Sequence, residues 1–291
     1  MVVHIVSMMK KMKKIFAVIL VLLSMEANAQ TWEMGAFAGL SNYFGDLAPV
    51  AFVPRETHSA AGGFIRYYPS KFLSFRLGLT YGVISGSDKN ALNPQLQARN
   101  LSFKSSMLDL ALVAEYNILG YDNYLQPFTP YIFAGVGGFH FNPRASYKGE
   151  WVYLQALGTE GQGTTAYPQR KKYPLYQFSI PMGLGVRFAL ANLVNMGAEI
   201  GLRKTFTDYL DDVSTSYVDQ MTLIGENGSL ANALSNRSGE LTGIPVIHAD
   251  GEQRGDPSDM DWFGFAGVTF SFTLTGMKGG KHSGFGCPAT Y

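Results

Sequence analysis

Tyr176-Gln177-Phe178-Ser179-Ile180-Pro181-Met182-Gly183-Leu184-Gly185-Val186-Arg187-Phe188-Ala189-Leu190 is the stretch whose reading decides the fold. Successive side chains of a strand point to opposite faces. One face here carries Tyr176, Phe178, Ile180, Met182, Leu184, Val186, Phe188 and Leu190. The other carries Gln177, Ser179, Pro181, Gly183, Gly185, Arg187 and Ala189. A wide apolar face opposite a small, polar one is inverted for a soluble sheet. It fits a closed transmembrane barrel, whose outside meets lipid and whose inside is polar.

Working outward, the chain opens on a secretion signal. Lys10, Lys11, Lys13 and Lys14 form a basic stretch, residues 15–23 an apolar run, and Ala27-Asn28-Ala29 a cleavage site. A signal peptide is expected over 1–29 and a mature start at Gln30. Beyond it no apolar run reaches the roughly 20 residues that a membrane helix needs. Composition agrees with a barrel: 33 Gly, 20 Phe and 16 Tyr, with 15% charged residues against the roughly 25% of a soluble domain. The single cysteine, Cys287, excludes an intrachain disulfide. A net charge of +1 leaves no footprint for nucleic acid.

The alternation predicts eight antiparallel strands, at 31–43, 59–69, 72–85, 102–118, 128–142, 175–190, 194–207 and 260–274. The expected fold is an all-β, eight-stranded outer-membrane barrel over 30–274, followed by a glycine-rich tail at 275–291. Connections alternate between short (69–71, 120–126, 191–193) and long (44–58, 86–101, 143–174, 208–259). Short periplasmic turns and long extracellular loops are sorted in this way in such barrels.

Strand phase places Glu33, Arg66, Arg76, Asp109, Glu115, Arg187, Glu199 and Arg203 on the inward face. An eight-stranded barrel is just wide enough to be filled by side chains. The expectation is therefore a plugged lumen with an ion-pair network, since guanidinium forks bind carboxylates two bonds at a time. Glycines of the same phase (Gly35, Gly39, Gly78, Gly82, Gly183, Gly185, Gly197 and Gly201) make room for bulky partners. Pro181 implies a bulge or a missing ladder bond. Trp32, Tyr67, Tyr68, Tyr81, Tyr116, Tyr176, Phe206 and Trp262 are expected at the headgroup level, with Phe206 and Trp262 outermost and Tyr67 and Tyr116 innermost.

Little in the sequence suggests catalysis. His58, His248 and His282 lie in loops or the tail with no Ser or Asp partner at a telling spacing, and His140 ends the fifth strand beside Asn142. A Ser-His hydrolase like barrel phospholipases or deacylases is the unsupported alternative, and no enzyme, no cofactor and no small-molecule substrate are expected. Residues 207–213, with Asp256, Asp259 and Asp261, form an acidic group in which calcium's oxygen ligands compete with a solvated rim. The spacing is not that of an EF-hand, and the rim is the expectation.

Three segments carry a family resemblance. Glu33-Met34-Gly35 with Gly39-Leu40-Ser41-Asn42-Tyr43-Phe44-Gly45-Asp46-Leu47 is similar to the N-terminal motif of PorG-like proteins. Glu199-Ile200-Gly201-Leu202-Arg203-Lys204-Thr205-Phe206-Thr207-Asp208-Tyr209-Leu210-Asp211-Asp212-Val213-Ser214 resembles their longest signature. Arg254-Gly255 with Asp261-Trp262-Phe263 resembles their closing strand. The resemblance implies an outer-membrane barrel of the type IX secretion system of Bacteroidota. It also implies a link to the periplasmic PorK/PorN ring, a link to gliding in relatives that glide, and no catalytic residue. Of the signature, Thr205, Phe206, Asp208, Tyr209, Asp211 and Asp212 have a structural reading too: a turn that locks the strand exit through backbone hydrogen bonds. An OmpA-like or OmpX-like surface barrel with ligand-binding or adhesive loops, and a small porin, are the competing readings.

Overall fold

The computed structural model describes residues 31–48, 53–123, 125–191 and 193–274. The expected signal peptide, and the tail with Cys287, lie outside these residues. The strands in chain order are β1 (Thr31–Phe44), β2 (His58–Tyr68), β3 (Leu73–Ser87), β4 (Ser102–Asn117), β5 (Phe128–His140), β6 (Pro143–Tyr147), β7 (Glu150–Tyr153), β8 (Tyr176–Ala191), β9 (Val194–Thr205) and β10 (Trp262–Leu274). Eight of them close into a barrel in the order β1-β2-β3-β4-β5-β8-β9-β10, every pairing antiparallel. The seam runs from Trp32 opposite Leu274 to Phe44 opposite Trp262. Closure gives both sides of every barrel strand a neighbour, which a bilayer without water demands. Among the described residues no helix is long and apolar enough to cross a membrane.

Burial alternates along each barrel strand with the phase read from the sequence. On β8, Tyr176, Phe178, Ile180, Leu184, Phe188 and Leu190 are exposed, while Ser179, Pro181, Gly185 and Arg187 are buried. Leu77 and Leu79 on β3, and Leu108, Leu110 and Leu112 on β4, continue the apolar belt. Trp32 packs at a tilt against Tyr67, with ring centroids 4.9 Å apart, near the short-turn end. Trp262 lies under the Lys204 ammonium at 5.8 Å, near the long-loop end. Tyr68 departs from the expected girdle: it is buried, and its hydroxyl donates to Glu33 Oε2 at 2.7 Å inside the barrel. Leu110 is 51% exposed in mid-strand. Leu110→Arg is expected to cost about 2–4 kcal/mol in vesicles, the range for a cation at the bilayer midplane, as a lowered urea midpoint of the folded band.

Pro181 keeps its register opposite Arg203 on β9. Towards β5 the ladder stops at Ala134–Met182 and resumes at Gly137–Ser179. The proline therefore interrupts ladder bonds without a bulge, as expected of a residue with no N–H.

The long loops hold structure that periodicity did not reveal. Within 143–174, β6 and β7 form a hairpin, and β6 pairs with β4 through Lys104–Arg144 and Ser105–Pro143. β4 outruns β5, which ends opposite Leu108, so its upper edge would otherwise offer unpaired amides. Short helices fill the rest: α1 (Pro94–Arg99), α2 (Leu154–Leu157), α3 (Gln220–Asn227) and α4 (Ser229–Ser235). The main apolar core joins the upper lumen to these loops. Phe37, Ile84, Met107, Phe139, Phe263 and Phe265 from strands pack in one cluster with Leu101, Leu154, Tyr173, Leu210, Val213 and Leu234 from the loops. The loops thus form a cap seated in the barrel mouth.

Candidate functional site, the sealed lumen and its cap

All eight inward charges expected from strand phase lie on the lumen side, and the structure brings them into two groups. Glu115, from β4, has no exposed side-chain surface. It receives Arg66 Nε at 2.8 Å, Arg76 Nε at 2.8 Å and Arg187 Nη2 at 2.7 Å, and Ser74 donates to it at 2.9 Å. Arg66 also pairs with Glu33, and Arg76 reaches both oxygens of Glu199 at 2.7 and 2.9 Å. Three carboxylates and three guanidinium groups therefore balance in one network. Arg203 and Asp109 form a separate pair at 3.2 Å, nearer the cap. Such a network is retained at some cost in desolvation, and its outcome is a polar plug across the lumen.

Aromatic and amide side chains finish the plug. Tyr131 donates to Glu199 Oε2 at 2.6 Å and packs against Arg187 at 4.6 Å. Gly185 makes room for it, since a Cβ there would sit 2.6 Å from the Tyr131 ring. At the short-turn end, Tyr121 from the β4–β5 turn enters the barrel and donates to Asn195 Oδ1 at 2.7 Å. Asn195 in turn donates to Thr273 Oγ1 at 3.0 Å. Tyr121, Tyr131 and Asn195 were not singled out from the sequence. Tyr131 and Asn195 share the inward phase and were findable; Tyr121 sits in a turn, where phase says nothing.

The cap is built on the signature segment. Thr205 ends β9 and donates to the Asp261 carbonyl at 2.6 Å. Phe206 turns outward and is 59% exposed. Asp208, Asp211, Asp212 and Asp261 are buried, whereas Asp256 and Asp259 are exposed. This corrects the expectation of a solvated rim, because the loop folds inward and its carboxylates accept bonds that the chain reversal leaves unmade. Asp211 Oδ1 accepts from Val213 N at 2.8 Å, and Asp261 Oδ2 from Leu210 N at 2.8 Å. Asp212 Oδ1 accepts from the Tyr173 hydroxyl at 2.7 Å. Tyr209 is half-buried and stacks on Tyr173 at 4.8 Å. Asp208 is buried with neither oxygen hydrogen-bonded.

Two further pairs, missed in the sequence, brace the cap. Arg254 Nη1 meets Glu160 Oε1 at 2.9 Å and the Asp212 carbonyl at 2.6 Å. Glu160 also accepts from the Ser214 and Thr215 amides at 3.0 and 3.1 Å. Arg99 forks onto Asp88 at 2.8 and 2.7 Å and reaches the Arg254 carbonyl. Loop residues carry no period, so no sequence signal pairs them.

Tyr43 Oη lies 2.8 Å from Asp211 Oδ2 and 2.6 Å from Asp261 Oδ1. One phenol proton serves one carboxylate, so the other carboxyl must carry its own proton. Gly45 permits the approach, because a Cβ there would fall 1.9 Å from Asp261 Oδ1. Burial, with the Asp46 charge adding to it, pushes the Asp211 carboxyl up to about 8. Burial likewise pushes Asp208 up to about 8 and raises Asp261 well above the carboxylate range. For Asp212 burial outweighs the opposing Arg254 charge, and the group rises to about 6. A carboxyl raised in the folded state binds its proton more tightly there than in the open cap. Its stabilisation is complete below the open-state value near 3.8 and is lost as pH rises towards about 8. Amide exchange in 206–261 is expected to accelerate between about pH 6 and about pH 9, beyond the intrinsic base-catalysed rise, while barrel amides stay protected.

The described residues contain no cluster suited to a metal ion. The arrangement seals the lumen at three levels, by the tucked turn, the ion network and the cap. A closed barrel with an apolar belt, a polar interior and loops sorted by length is the architecture of Gram-negative outer-membrane proteins, and the chain has that architecture.

Residues 12–232 match the family model described as a domain of unknown function, DUF6089. No curated protein matches the chain. Among solved structures, the chain is similar to Neisserial surface protein A, at 9% identity and a TM-score of 0.41, with 84% of this chain and 99% of that one covered. It is similar to the outer membrane protein OprG from Pseudomonas aeruginosa, at 11% identity and 0.39, covering 85% and 97%. It is also similar to Ail, the attachment invasion locus protein of Yersinia pestis, at 8% identity and 0.38, covering 84% and 97%.

Proposed function

The chain belongs to the DUF6089 family, and from that premise we propose that it is a non-conducting outer-membrane barrel that anchors periplasmic proteins, as a structural component of the type IX secretion machinery. The observation that carries the reading is the sealed lumen: Glu115 with its three arginines fills the bore, and Tyr121 closes the short-turn end. A barrel that passes nothing serves by what it holds. The resemblance of residues 199–214 to PorG-like proteins supplies the partner, a ring of the PorK/PorN type. Contact would fall on the short turns at 69–72, 118–127 and 191–193. This anchoring role needs no chemistry from the barrel itself, and no metal or cofactor.

Crosslinking in intact cells, with identification of the bound proteins, tests the partner. Ring proteins are expected in the adducts, and normal secretion of type IX cargo after deletion of the gene would refute the role. In planar bilayers the purified barrel is expected to show no steady large conductance; a stable open level would revive the small-porin reading. A second reading, a surface barrel acting through its outer loops, is favoured by the exposed apolar run Leu241, Ile244, Val246 and Ile247. Removing 215–255 separates the two, since an adhesive protein loses its function and an anchor keeps it.

A further inference from the structure

We propose that the outer cap carries a serine acyl-hydrolase site, formed by Ser238, His248 and Glu252, that takes esters with an apolar acyl chain. The inference goes beyond the anchoring role and replaces the expectation that His248 has no serine partner that its spacing reveals. Ser238 Oγ lies 3.2 Å from His248 Nε2, and His248 Nδ1 lies 2.7 Å from Glu252 Oε1. The order nucleophile, base, carboxylate, with opposite ring nitrogens engaged, is the arrangement that activates a serine. Glu252 accepting at Nδ1 selects the tautomer that leaves Nε2 free to take the serine proton.

The three residues are held from independent points. Ser238 begins a 3-10 turn, and its amide donates to Asn236 Oδ1 at 3.1 Å. The Glu252 carbonyl accepts from Tyr217 N at 2.8 Å, and its second carboxylate oxygen from Ala249 N at 2.9 Å. The His248 ring lies flat on Tyr217, with centroids 3.9 Å apart and planes 2° from parallel.

Tyr217 adds the second observation. Its hydroxyl is buried with no partner at ordinary hydrogen-bond distance, and Ser238 is the hydroxyl that interacts with it. A phenol donor next to a nucleophile is placed to receive the oxygen that becomes negative when an acyl carbon turns tetrahedral. Leu241, Ile244, Val246 and Ile247 lie between serine and histidine in the chain and are exposed. Asn236 Nδ2 donates to the Val246 carbonyl at 2.6 Å and ties that apolar run to the serine turn. Such a surface suits an acyl chain.

In the reaction Ser238 Oγ bonds to the ester carbonyl carbon while its proton passes to His248 Nε2. The carbon–oxygen bond to the alcohol breaks, and the alcohol leaves with that proton. Water then attacks the acyl-serine, giving a proton to His248. The carboxylic acid departs as the proton returns to Ser238. The Glu252 side chain is 47% exposed, so water screens it, and it acts as a positioning residue of modest effect.

The test uses the full-length chain folded in detergent micelles, its heat-modifiable band certifying the barrel for every variant. An alkyl fluorophosphonate is expected to label Ser238, located by peptide mapping, and p-nitrophenyl octanoate to be hydrolysed. Ser238→Ala abolishes both. His248→Gln lowers the labelling rate about 100-fold or more, the low end for a lost general base, and Glu252→Gln lowers it by roughly tenfold at most. Tyr217→Phe reduces kcat on the ester with KM unchanged, which a merely structural tyrosine would not do. Ser229→Ala, outside the triad, leaves both readouts intact. A folded wild-type barrel that takes no label, or equal labelling and hydrolysis in Ser238→Ala, overturns the proposal.

Discussion

Glu115→Ala is expected to destabilise the barrel by about 3–5 kcal/mol, the cost of leaving buried charge without its partner. Glu115 takes contacts from Arg66, Arg76 and Arg187 at 2.7–2.8 Å. After its loss Arg66 keeps Glu33 and Arg76 keeps Glu199, but Arg187 keeps no direct carboxylate partner, only Asn117 Oδ1 at 3.1 Å and the tyrosine rings around it. The network then holds an uncancelled positive charge inside a narrow bore whose guanidinium groups are almost wholly buried. Glu115→Gln should fall nearly as far, because shape is preserved and charge is not. Combining Glu115→Gln with Arg187→Met restores the balance and should recover part of the loss, which a double-mutant cycle isolates. Urea titration of the heat-modifiable band in vesicles reads all three variants. An unchanged midpoint for Glu115→Ala would mean that water reaches the arginines and that the lumen is open.

Arg254→Ala is expected to open the cap and spare the barrel. Arg254 and Glu160 are both buried, and the arginine also holds the Asp212 carbonyl and, through Nε at 3.1 Å, the Ser235 carbonyl. Its removal leaves the Glu160 carboxylate to the Thr215 and Tyr209 hydroxyls and the Ser214 and Thr215 amides, at a cost of about 3–5 kcal/mol. Arg254 ties segment 206–261 to the neighbouring loop through Glu160, so the loss falls on the cap and not on the strand ladders. Protease should cut within that segment about 100-fold faster or more, as the open population grows, while the remaining strands still migrate as a folded barrel. Joint collapse of cap and barrel would show instead that the apolar cluster shared by Leu210, Phe263 and Ile84 makes them one cooperative unit.

The legible part of this molecule is the part with a period. Lipid outside and side chains inside impose opposite preferences on alternate residues, so Arg66, Arg76, Arg187 and Glu199 could be placed inward from their strand phase alone. Their partners could not. Arg76 meets Glu199 across 123 positions of chain, and only barrel closure makes them neighbours. The acidic run at 208–212 misled for a related reason. Carboxylates in a loop are ordinarily solvated, and nothing local signals that Tyr43, from the first strand, waits above the bore to share a proton with Asp211 and Asp261. Ser238 and His248 lie ten residues apart in a loop whose turns alone bring them within reach.

By itself, the sequence determined the wall: alternation with period two, loop lengths and glycine placement leave a chain in lipid no arrangement but a closed cylinder, since unsatisfied amides are intolerable there. The tertiary structure alone decided what stops the cylinder at each level and which loop groups face one another. Those contacts join residues far apart in the chain, and long-range proximity is a property of closure that no local pattern encodes.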